Sequence, residues 1–188
     1  MRLIQCKPLI VFVALCMVGG VNSAEVGLRS YELPDHGELQ LNVPTSWQDK
    51  LRQPPNRLPP TIAFHPSNGT PFEILVTPIW PIGDSSPAST PQAMQKGVRA
   101  AADAAKTQSV EETIDLKELK GSSGTGYYFS ATDKAPKAGE YKFMTQGMVR
   151  VGELTVTFTI LTNEGQGDII ESALAMIAAA TQSKETAT

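Results

Sequence analysis

Asp35-His36-Gly37-Glu38 is the stretch whose side chains could hold a metal ion. His36 and Glu38 are two residues apart, so on a strand they share one face, and an imidazole beside a carboxylate is a usual donor pair for a divalent cation. The second histidine, His65, would complete a two-histidine, one-carboxylate set. Both histidines also stand beside turn residues, where polar side chains are ordinarily solvated. Cysteine adds nothing, because Cys6 and Cys16 both fall in the first 24 residues.

Other chemistry finds little support in the residue types. Gly121-Ser-Ser-Gly-Thr-Gly126 looks like a phosphate cradle, but such a loop needs a helix after it, and Tyr127-Tyr128-Phe129 is strand composition. No Gly-x-Ser-x-Gly elbow occurs, and two histidines are the only imidazole bases. Glu111-Glu112 reads as a solvated charge pair, not a glycosidase dyad. No catalytic residue and no cofactor is therefore expected, and the chain is read as a non-enzyme. Partner contacts are expected instead from Arg52 and Arg57, in the basic proline-rich stretch 50–60, and from the large aromatics Trp80 and Tyr127.

Residues 1–24 carry Arg2 and Lys7 ahead of the apolar run Leu9 to Val18 and small residues before Ala24. This reads as a secretory signal peptide, so the location expected is periplasmic or secreted. Removing it takes away two cations and no acid, so the net charge of −3 becomes −5. A mildly acidic chain lacks the clustered Lys and Arg that neutralise phosphates, and nucleic acid is not expected as a partner. The 188 residues have no further apolar run near the roughly 20 needed to cross a bilayer. What remains suits a single domain, 25–182, with a disordered tail at 183–188.

The elements that must position these residues follow from periodicity. Loose alternation marks a strand at 27–33 and clean alternation one at 37–43, a hairpin about Asp35-His36-Gly37, and strict alternation returns at 154–161, where Val156, Phe158 and Ile160 alternate with threonines. Further strands are expected at 61–65, 72–80, 113–120 with a phase slip at Leu119, 127–132 and 140–152. Residues 50–60 hold four prolines and read as an extended surface loop. Thr90-Pro91 opens a helix that runs through Lys106 with Met94, Val98, Ala101 and Ala105 inward. A last helix follows with Asp168 as N-cap and Ile170, Leu174 and Ile177 on one face. Seven or eight strands and two helices give an α+β class, an antiparallel sheet covered by helices.

Val43-Pro44-Thr45-Ser46-Trp47 at a strand end, the Ala-rich central helix, the long hairpin and the closing strand-helix unit together resemble the Mog/PsbP-like group, with its bacterial exported DcrB/PsbP-type relatives. The resemblance spans nearly all of 27–180. It implies an α-β-α sandwich used as an accessory or binding module of the cell envelope, with a protein or other envelope component as partner. It also implies that the threonine face of 154–161 lies under a helix, near Ala101 and Ala105. The alternative function is a small-molecule or metal binder using His36, Glu38 and His65.

Overall fold

The computed structural model describes residues 25–55, 58–80 and 89–184. The expected signal peptide lies outside the described residues. In chain order the strands are β1 (Val26–Leu33), β2 (Gly37–Pro44), β3 (Trp47–Arg52), β4 (Thr61–Pro66) and β5 (Glu73–Ile79). Helix α1 (Pro91–Ala105) is followed by β6 (Lys117–Gly121), β7 (Gly124–Thr132), β8 (Phe143–Val151) and β9 (Leu154–Thr162). Helix α2 (Gly167–Ala178) and the short β10 (Thr181–Ser183) close the chain. The strands form two antiparallel sheets, one of order β3-β4-β5-β9-β8-β7-β6 and a smaller one of order β1-β2-β10.

Strand β9 is central because its alternation feeds two ladders, with β5 on one side and β8 on the other. Val156, Phe158 and Ile160 point into the main core, where Leu39, Leu41 and Val43 of the small sheet and Ala173, Met176 and Ile177 of α2 meet them. Gly147 of β8 lies beneath Phe158. A Cβ there would stand 2.5 Å from the Phe158 ring, so the ring occupies the space that a side chain would take.

The chain passes from the small sheet to the large one through Val43-Pro44-Thr45-Ser46-Trp47. Trp47 opens β3 and packs on Phe64 and Phe72, with ring centroids 6.4 and 5.1 Å away. A polar tie runs beside it. Arg29 of β1 pairs with Asp49 of β3 and donates to the Trp47 carbonyl at 2.8 Å. The neighbouring Tyr31 hydroxyl is buried, and that burial, with Asp49 nearby, pushes its pKa up.

On the opposite face of the large sheet, α1 lies over β7 and β8. Thr90 caps it, accepting from the Ala93 amide at 3.2 Å, and Pro91 follows as expected. Val98 and Ala102 meet Ile114, Phe129 and Ala131 in a second, smaller cluster. Ala101 and Ala105 are at its edge. Of the β9 threonines on this face, Thr155 is buried while Thr157 and Thr159 are half-buried, and Thr157 donates to the Thr77 carbonyl at 3.3 Å.

Four boundaries differ from expectation for identifiable reasons. Residues 50–52 continue β3 instead of opening a loop, because an edge strand with one buried residue, Trp47, needs no apolar alternation. The phase slip at Leu119 marks a strand boundary: Ile114 precedes β6 and sits under α1, whereas Leu119 points into the main core. Gln166, not Asp168, is the N-cap residue of α2, and Asp168 falls in the first turn, where it complements the helix dipole. The Gln166 side chain accepts from the Asn163 amide at 2.7 Å and donates to the Thr70 and Pro71 carbonyls at 3.2 and 3.3 Å. Finally, Ser183 belongs to a strand, opposite Glu38, and not to a tail.

Candidate functional site

Three hairpin turns gather at one end of the molecule around β10. The β1–β2 turn brings Asp35, at φ 64°, and Gly37, at φ 73°. The β6–β7 turn brings Ser122 and Ser123, and the β8–β9 turn brings Gly152, at φ 58°, and Glu153. The antiparallel pairing of β7 with β8 puts the second and third turns side by side, and the chain leaving α2 passes between them and the first.

A set of hydrogen bonds ties the three turns to the chain leaving α2. The Ser122 amide donates to the Ala178 carbonyl at 2.9 Å and its hydroxyl to the Ala180 carbonyl. The Gly152 amide donates to the Ser123 hydroxyl at 2.8 Å. Gln182 uses both ends of its side-chain amide: its oxygen accepts from the Glu153 amide at 2.8 Å and its nitrogen donates to the His36 carbonyl at 2.9 Å. Lys184 pairs with Glu153 at 2.6 Å. The hydrogen bond and charge of Lys184, with smaller help from His36 and Arg150, hold the Glu153 carboxyl below the usual carboxylate range.

Beside these turns runs an open groove of about 820 Å³ whose walls include Glu32, Asp35, Glu38, Leu33, Leu51 and Gln53. Glu32 and Glu38 stand directly opposite each other in the β1–β2 register, an unfavourable arrangement for like charges. Leu51 is 43% exposed and gives the groove an apolar wall.

The expected site residues are only partly brought together. His36 and Glu38 both line the groove, and the His36 ring lies on Trp80 with centroids 4.6 Å apart and an interplanar angle of 32°. His65 is elsewhere, on β4 opposite Gln48, and shares parity with Ala63, away from the core face of Ile62 and Phe64. The expected trio of His36, Glu38 and His65 is therefore not assembled. Among the described residues no three His, Cys, Asp or Glu side chains form a group that could hold a metal ion.

Of the partner candidates, Trp80 is 5% exposed and belongs to the main core, so it is not available to a partner. Tyr127 is partly buried against the cluster under α1. Arg52 is exposed on β3 and 3.3 Å from Glu73. Arg57 lies outside the described residues.

Sequence reasoning missed the stacking of His36 on Trp80, for which a separation of 44 positions carries no local signal. It also missed Glu111. That carboxylate is not simply solvated: it accepts from the Thr132 amide at 2.9 Å, the Thr132 hydroxyl at 2.7 Å and the Ser109 hydroxyl. Burial by itself would raise its pKa, but these donors outweigh it and hold the carboxyl down at about 2. The spacing Ser109-x-Glu111, a serine able to bond two residues on, was the available signal.

No protein-family model matches the chain, and no curated protein does. Among solved structures it is similar to the solution structure of cyanobacterial PsbP (CyanoP) from Synechocystis sp. PCC 6803. The identity is 15%, the match covers 88% of this chain and 96% of that one, and the TM-score is 0.49.

Proposed function

We propose that this is a non-enzymatic, exported accessory protein of the cell envelope that binds a protein partner at the three-turn end. The observation that carries the reading is the groove beside β10: open, apolar on one wall, and bordered by backbone and carboxylate groups. An open groove of this kind suits an extended segment of another protein better than a small molecule, which is usually enclosed over most of its surface.

An α-β-α sandwich of the Mog/PsbP-like type belongs to the same proposal. Its support is that α1 and α2 pack against opposite parities of β8, Met144 and Met148 on one side and Val149 and Val151 on the other. Export rests on residues 1–24, and no described helix is long and apolar enough to cross a membrane. Placing a photo-cross-linking residue at Leu51, in the groove, and at Gln92, on α1, tests the reading in living cells. A discrete protein adduct from position 51 and none from position 92 is expected; equal adducts, or none from position 51, would sink it.

A further inference from the structure

Strand β10 is held in an unusual way. Its three residues bury no apolar side chain, in contrast to β2, which sends Leu39, Leu41 and Val43 into the core. Its place is fixed instead by contacts that discriminate one residue type from another. The Gln182 amide is read at both ends, by the Glu153 amide and the His36 carbonyl. Two positions further on, Lys184 is read by the Glu153 carboxylate. Next to Glu38, the partner of Ser183, stands Gly37, where a Cβ would lie 2.1 Å from the Ser183 carbonyl oxygen and 2.9 Å from the Lys184 Cα, so only glycine leaves room for the passing backbone.

Backbone pairing to a sheet edge, together with side-chain selection at alternate positions, is how proteins recognise an extended peptide by strand addition. We infer that the β2 edge, the β1–β2 turn and the β8–β9 turn form a peptide-acceptor cradle. The cradle selects an extended segment with an amide side chain and, two residues later, a basic one, and the chain's own Thr181–Lys184 segment occupies it in cis. The occupant it would take in trans is a partner strand of the same Gln-x-Lys pattern. Because Gln182 and Lys184 also line the groove, exchange of this strand would remodel the partner site itself. The inference deepens the partner reading, on which its biological purpose rests, but the cradle's chemistry can be tested without any partner.

The test uses the full chain and a labelled peptide of sequence Ala-Ala-Thr-Gln-Ser-Lys, residues 179–184. A tethered strand competes at an effective concentration of about millimolar, so the cis occupant must first be weakened. The expected result is that a Gln182→Ala, Lys184→Ala double variant binds the peptide at least tenfold more tightly than the unsubstituted chain does, by fluorescence anisotropy. A peptide carrying Gln182→Ala should bind that variant at least tenfold more weakly. Equal binding of the two peptides, or no gain in the variant, overturns the cradle. Amide exchange on the unsubstituted chain gives a second measurement: Thr181–Ser183 should exchange through local opening, faster than the core amides of β9. Exchange of β10 at the rate of global unfolding overturns displaceability. Failure here, with a discrete adduct at position 51, would leave the partner site standing and remove only the strand-addition mode.

Discussion

Between the two sheets, Leu39, Phe64, Phe158 and Ile160 are at most 2% exposed and share one core with α2, whereas at the turn end β10 buries no apolar side chain and is fastened by its pairing with β2 and by polar side-chain contacts. The difference is one of cooperativity. Burial of a large side chain is felt by every neighbour in a close-packed interior, so losing one loosens the whole layer. Hydrogen bonds exchanged with water contribute only about 0.5–1.5 kcal/mol each, so the segment they hold can open alone. Function is sought at the turn end because it can change state without unfolding the sheets.

The comparison breaks most visibly at Phe158. Phe158→Ala removes a ring lying over Gly147, and since that glycine has no side chain with which to fill the gap, the cavity cannot collapse. The expected loss is about 3–5 kcal/mol of global stability, read by urea denaturation with an unchanged slope. A loss below about 1 kcal/mol would mean that the two sheets are not packed as described.

The residues behind this contrast were unequally legible. The core strands announced themselves because a sheet face buried on one side forces apolar alternation, as in Leu39, Leu41, Val43 and in Val156, Phe158, Ile160. Strand β3 did not, because only Trp47 of its six residues is buried and an edge imposes no pattern on the rest. At the turn end the sequence placed Asp35-His36-Gly37 in a turn, and the structure agrees. It could not show that Gln182 reaches His36, or that Trp80 is under the imidazole, because those contacts join residues whose spacing carries no period. For the same reason His65 was counted with His36 on residue type alone, and the β-sheet separates them.

An intermediate effect is expected at Glu111, which fastens the segment after α1 to β7 through Ser109 and Thr132. Glu111→Gln should cost about 1 kcal/mol, toward the low end for a charged hydrogen-bonded group because solvent screens a half-exposed carboxylate. The pH dependence gives the sign. The folded carboxyl titrates at about 2, below the ordinary 4.5, so its contribution is fully present above 4.5 and is lost as pH falls toward 2. Urea midpoints measured down through that range should fall more steeply for the unsubstituted chain than for Glu111→Gln. Parallel curves would show that the carboxylate does not fasten this segment.

The smallest effect separates the two regions most sharply. Lys184 and Glu153 are 62% and 66% exposed, so Lys184→Met should leave the urea midpoint essentially unchanged. The same change should let the Glu153 carboxyl rise back toward its ordinary range, followed by NMR titration, since Lys184 is the main cause of its depression. Added salt should shrink the difference between the two chains, as expected for a screened surface pair. A titration shift without a stability change places Lys184 in a locally fastened segment. A clear drop in the urea midpoint, more than an exposed pair supplies, would instead make β10 part of the same cooperative unit as Phe158, and the turn end could not then move independently of the core.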